Sequence, residues 1–180
     1  MLAPFRTIRP GTDEVPPYAA GYVARVPDGD VVDILSRQIS ETVALLESIS
    51  ESNADHRYQP DKWSIKEVVG HMGDAERVFA YRALRFARAD TTPVEGFDEN
   101  TYVVNAPFTR TTLVNLTNEL EHIRRSTLHL FANLDSEAME RRGTANGLEV
   151  SVRALAFIIA GHENHHLNIL RTRYLKQKAG

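Results

Sequence analysis

Apolar residues recur at steps of three and four in four stretches of the chain, the period of a helix that buries one face. Val32, Leu35, Ile39, Thr42, Leu46 and Ile49 mark the first stretch, with Asp30 as its N-cap and an end expected near Ser52 and Asn53. The second has a sharper start. Ser64 and Glu67 form a capping box, and Trp63 just before it can staple onto Val68. Its inward stripe is Ile65, Val68, Met72, Ala75, Phe79 and Phe86. The third stretch carries Leu113, Leu116, Leu120, Ile123, Thr127, Leu130 and Leu134. The fourth carries Val152, Leu155, Ile159, His162, His166, Leu170 and Tyr174. Four amphipathic helices and no convincing strand pair predict an all-α four-helix bundle.

The segments between these helices differ in character. Residues 1–27 hold Pro4, Pro10, Pro16, Pro17 and Pro27, and read as an irregular N-terminal arm on the surface of a bundle domain spanning 28–180. Residues 89–108, with Pro93, Gly96 and Pro107, form a link longer than antiparallel neighbours need. Such a link suggests a crossover or a lid over one bundle end, anchored by Phe97 and Tyr102. A loop is expected around Gly143–Gly147. Gly70 and Gly73 cost helix propensity and allow close approach by a neighbouring helix.

Length and composition narrow the function. The 180 residues suit one domain with a real core. A net charge of −3 without a basic run disfavours nucleic acid as a partner. The lack of cysteine removes disulfides, zinc fingers, iron–sulfur clusters and a cysteine nucleophile, and fits a reducing compartment. The apolar run Ala154–Ala160 is far short of the roughly 20 residues of a membrane span, so no membrane partner is expected. The N-terminus lacks a signal-peptide pattern, so a cytoplasmic location is expected.

The informative feature is a pair of histidines in the fourth apolar stripe. His162 and His166 lie one helical turn apart on one face, where two imidazoles can converge on one metal ion. Buried without a shared partner, two imidazoles are costly, although a hydrogen-bonded core histidine is the commoner case. The segment His-Glu-Asn-His-His formally matches the H-E-x-x-H protease pattern. Zincins draw a third ligand from further along the chain, and residues 167–180 contain no His, Asp or Glu. The third ligand is therefore sought upstream, where His71 on the shoulder of the second stripe is the best candidate. His56 lies in a polar loop, His122 and His129 flank the third stripe on its solvated side, and His165 points to the rim.

The Trp63-Ser64-Ile65 entry into a helix bearing His71, the long link and the His162-x3-His166 pair together resemble the DinB-like (DinB/YfiT) superfamily of bacterial four-helix bundles. The resemblance spans residues from about 30 to 175 and rests on the order and separation of motifs that are individually short. It implies an up-down-down-up bundle with a long link between helices 2 and 3, a homodimer, and a divalent metal, nickel or zinc, held by His71, His162 and His166. Relatives include S-transferases that use a low-molecular-weight thiol as cosubstrate, others that are named metal-dependent hydrolases, and many of no known activity. Many relatives carry Gln three residues after the last histidine, where this chain has Ile169.

Three neutral imidazoles leave an ion its full charge and an open position for a small-molecule substrate. Such an ion activates water or a thiol alike. Taken with the resemblance, this makes a metal-dependent thiol S-transferase the expected function. A metal hydrolase, or a non-catalytic dimeric metal-binding module linked to stress, stands as the alternative. Glu163 is a candidate catalytic base, although the turn of about 100° per residue from His162 favours a solvated or interhelical ion-pairing role. Asp74 or Glu76 could orient an imidazole, or be an exposed helix acid. Arg82 and Arg85 could receive an acidic thiol, or be a charged flank.

Overall fold

The computed structural model describes residues 8–176. Four long helices build it: α2 (Val31–Glu47), α3 (Ile65–Ala87), α5 (Leu113–Ala132) and α7 (Val152–Ile169). Helix α3 packs on α5 and α7, and α2 closes the ring against the same two. The short helices α1 (Ala20–Val23), α4 (Glu99–Asn105) and α6 (Ser136–Glu140) lie in the connections.

Each long helix starts at a side chain that satisfies an orphan N–H. Asp30 Oδ1 accepts from Val32 N at 2.9 Å. Ser64 N donates to Glu67 Oε2 at 2.6 Å and Glu67 N to Ser64 Oγ at 3.3 Å, completing the capping box. Thr112 and Ser151 cap α5 and α7 in the same way. Helix α2 stops at Glu47, earlier than its apolar period suggests, and the chain turns through Glu51–Asn53. Beyond α7 the helix widens into a π turn over Leu170–Tyr174.

One element contradicts the expectation of no strand pair. Strands β1 (Arg142–Ala145) and β2 (Leu148–Ser151) form an antiparallel hairpin. Its two-residue turn is Asn146-Gly147, both at positive φ, 52° and 72°. That dipeptide is a strong hairpin signal, because the turn's twist matches the strands. The strands are too short for a readable alternation, so the turn was the available cue. The hairpin also organises the long link. Val94 N donates to Thr144 O and Asn146 N to Val94 O, each at 2.9 Å.

The apolar core is in two parts. One holds Leu35 of α2, Phe79 and Phe86 of α3, Phe131 of α5 and Leu155 and Ile158 of α7. The other holds Leu46 of α2, Ile65 and Met72 of α3, Leu116 and Leu120 of α5 and Leu167 of α7. Between them lies a polar layer with one residue from each long helix: Thr42, Glu76, Arg124 and Glu163. Arg124 is fully buried. Its Nε and Nη2 donate to the two Glu76 oxygens at 2.9 and 2.8 Å, and Nη1 reaches Leu35 O at 3.2 Å. Nη2 also pairs with Glu163, whose other oxygen accepts from Thr42 Oγ1. Burial pulls Arg124 towards neutrality, but the two carboxylates outweigh it and hold its pKa above the usual arginine value.

The described part of the N-terminal arm is packed, not loose. Arg153 of α7 donates to both oxygens of Glu14, at 2.7 and 2.5 Å. Helix α1 lies on α7 at Gly161, where a Cβ would come within 2.0 Å of the Tyr22 carbonyl oxygen. Among the described residues, no helix is long and apolar enough to cross a membrane.

Replacing Arg124 by Leu leaves two buried carboxylates without a counter-charge, and should cost about 3–5 kcal/mol of stability in urea unfolding. Replacing Arg124, Glu76 and Glu163 together by apolar residues should cost much less. Equal losses from the single and triple variants would show that the layer is not a charge-balanced unit.

Candidate metal centre

The imidazoles of His71, His162 and His166 meet between α3 and α7. His71 Nε2 lies 3.0 Å from His162 Nε2, which lies 3.1 Å from His166 Nε2. One ligand nitrogen from each falls within 4.8 Å of the other two. All three rings are buried, with 5–7% of their surface exposed. The i, i+4 spacing on α7 stacks His162 and His166 on one face, and α3 brings His71 from across the groove.

This spacing fits a shared cation. Two nitrogens each about 2.0–2.1 Å from a zinc-like ion stand about 3–3.4 Å apart. A ring of hydrogen bonds satisfies the cluster less well, since each neutral imidazole has one N–H and the same three nitrogens face one another. The rings are also held unprotonated. Burial drives His71 down to about 4, against a small upward pull from Glu99. Burial and the neighbouring histidines take His166 to about 3, and His162 well below the ordinary histidine range. Neutral imidazole is the ligand form.

Aromatic rings fix the cluster's walls. Trp63 sits 4.8 Å from His71, ring centre to ring centre, immediately before the Ser64 cap. Tyr22 from the arm packs edge-on against both His162 and His165 at 5.4 Å. Phe79 meets His162 edge-on at 5.9 Å. The Tyr174 hydroxyl, carried by the π turn, donates to Trp63 O at 2.5 Å.

Two clefts reach the cluster from opposite histidines. The first, of about 220 Å³, exposes His71 and His162 beside Tyr18, Tyr22, Phe79, Arg82, Phe97, Glu99 and Asn146. The second, of about 240 Å³, exposes His166 beside Tyr58, Trp63, Asn100 and Tyr174. Consecutive residues of α4, Glu99 and Asn100, line different clefts, so the long link roofs the cluster.

The other sequence candidates fall elsewhere. Glu163 is not brought to the cluster: its carboxylate is held by Arg124 and Thr42 and lines neither cleft. Glu76 belongs to the same ion-paired layer. Asp74 faces Arg77 at 3.5 Å rather than an imidazole. Arg85 pairs with Asp90 at 2.6 Å, whereas Arg82 lines the first cleft. Ile169, at the position often Gln in relatives, lines the second. His56 lies 6.2 Å from Tyr174, ring to ring, and His122 and His129 are exposed. Tyr18, Tyr22, Glu99 and Asn146 were not legible as site residues. They come from turns and short helices with no period of their own, and only Asn146 carried a local signal, that of the hairpin turn.

Comparison with known proteins gives a consistent picture. The family model of the DinB superfamily matches residues 34–170. A protein of Oceanobacillus iheyensis named a "putative metal-dependent hydrolase" is 27% identical over 139 residues, covering 76% of this chain and 77% of its own. The solved structure of YfiT from Bacillus subtilis, described as "a probable metal-dependent hydrolase with an unusual four-helix bundle topology", superposes with a TM-score of 0.70. That match has 15% identity and covers 81% of this chain and 82% of the other, so it speaks to the fold.

The depressed histidines make the metal-free protein acid-sensitive. Each stays neutral when folded but takes up a proton on unfolding below about pH 6.5. The unfolded state then binds more protons, so stability is lost as pH falls through 6.5 and goes on falling towards the folded values. The unfolding free energy from urea titrations should drop between pH 7 and pH 5, by up to about 1.4 kcal/mol per pH unit for each histidine. A His166→Gln variant should show a shallower drop. An unchanged slope would mean that His166 is not held neutral.

Proposed function

Because this chain belongs to the DinB superfamily, we propose that it is a divalent-metal-dependent enzyme whose ion is held by His71, His162 and His166. We further propose that it joins the sulfur of a low-molecular-weight thiol to a small electrophile. The observation that carries this reading is the convergence of three neutral imidazoles with a cleft on either side. A nickel or zinc ion suits imidazole donors and lowers the pKa of a bound thiol or water.

The protein's own groups support an external nucleophile. The chain has no cysteine. Among the described residues, no serine or threonine lines either cleft. Two clefts suit two reactants, one at His71 and His162 and the other at His166. In the transfer, a new S–C bond forms at the electrophilic carbon and the bond to the leaving group breaks. The thiol proton departs with the leaving group as its conjugate acid. Tyr22, Trp63 and Phe79 pack against the imidazoles and hold their ring planes.

Hydrolysis is the second reading, and Glu99 favours it. Among the described residues it is the one carboxylate lining the first cleft, and its charge opposes the burial that drives the His71 pKa down. That places a base where a water nucleophile would need one. The names given to the two relatives agree with this alternative.

Elemental analysis after reconstitution with Zn²⁺ or Ni²⁺ should find about one ion per chain, lost in His162→Ala. The loaded protein should then consume a low-molecular-weight thiol in the presence of an activated aryl halide. Metal below about a tenth of an equivalent defeats both enzymatic readings. Ester or amide cleavage without any thiol requirement selects the hydrolase.

A further inference from the structure

Among the described residues, Arg82 is a buried cation without a carboxylate counter-charge. Of the other buried charged side chains among the described residues, Glu14 pairs with Arg153, Lys66 with Glu51 and Asp55, and Glu76 and Glu163 with Arg124. Arg82, 2% exposed, has no carboxylate within ion-pair distance among those residues. Its Nη2 donates to the Glu95 carbonyl at 3.0 Å, and its Nε has no hydrogen-bond partner. Burying an arginine in this state is costly unless something else supplies the anion.

The position of this cation points to what supplies it. Arg82 lines the first cleft, on the same face of α3 as His71, Ala75 and Phe79. An interval of 11 residues is close to three full turns, and helical side chains lean back towards the N-terminus, so the guanidinium is inclined towards His71. The Phe79 ring lies between the two centres, 5.9 Å from the His162 ring and 6.0 Å from the guanidinium carbon. The Phe97 ring, 5.9 Å from that carbon, forms a second apolar wall. Tyr18 also lines this end, within hydrogen-bonding reach of Arg82. Glu99 lies towards the other end, where it acts on Tyr22 and His71.

We propose that Arg82 is the anion subsite of the cleft, so that the reactant bound there is a small organic anion of the carboxylate type. Its flat apolar body lies between Phe79 and Phe97, and its reacting end points to the three histidines. The proposal rests on the reading that this cleft is the substrate site, but not on the ion, because Arg82 contacts none of the three imidazoles. Arg82 selects the reactant and holds it; it takes no part in bond making.

Calorimetric titration of the metal-free protein with benzoate and with its uncharged analogue benzamide tests this. Benzoate should bind at least ten times more tightly. Arg82→Gln should abolish that preference, and Arg82→Lys should keep part of it. Because the titration uses metal-free protein, its outcome does not depend on the ion, which separates this result from any failure of the metal reading. In an NMR titration, the Arg82 Nε–H signal should shift with benzoate and not with benzamide, which settles the matter even if Arg82→Gln does not fold. Equal affinities, no binding of either compound, a preference that survives Arg82→Gln, or an unmoved Nε–H signal would each overturn the proposal.

Discussion

Arg124 holds the bundle in register. It is fully buried and bonds to Glu76 on α3, Glu163 on α7 and the Leu35 carbonyl on α2, while itself belonging to α5. A buried ion pair adds little net stability over a well-packed apolar layer. Its importance is positional. A shift of any one of these helices along its axis would strand a charge in the low-dielectric interior. Apolar side chains alone tolerate such sliding better, because hydrophobic burial has no direction.

The histidine cluster depends on that register. Glu163 follows His162 directly, and Glu76 lies five residues beyond His71. The same guanidinium therefore clamps α3 and α7 beside the positions from which the imidazoles project. A His71–His162 nitrogen separation of 3.0 Å needs the two helices fixed to a fraction of a helical turn. The acidic residue next to His162 thus contributes to the site through geometry, from the far side of its helix.

The clefts are made by the parts of the chain that are not long helices. The segment around Tyr18 and Tyr22 closes one side, and it can do so because Gly161 leaves room for the Tyr22 carbonyl. The link between α3 and α5 closes the other. It is pinned to the hairpin at Val94, and Gly70 lets the Phe108 ring seat against α3, where a Cβ would lie 2.4 Å from that ring. A rigid bundle supplies the imidazoles, and shorter segments shape what can reach them. Arg82 stands apart as a buried charge for which the described residues provide no carboxylate partner.

The sequence by itself determined the four long helices, the caps Asp30 and Ser64 of the first two, and the stripe that turns His162 and His166 to one side. These follow from local rules: a 3.6-residue period and side chains that satisfy orphan N–H groups within a turn. It also marked His71 as an inward candidate, because that residue sits beside a readable stripe. The tertiary structure decided the rest. That His71 meets the other two imidazoles, that Glu163 turns to Arg124, and that Tyr22, Glu99 and Asn146 reach one cleft all depend on contacts between residues far apart in the chain. Periodicity reports which way a side chain faces on its own helix. What it faces is set only when helices, link and arm pack together, since the free energy of each contact belongs to a pair and is written in neither partner alone.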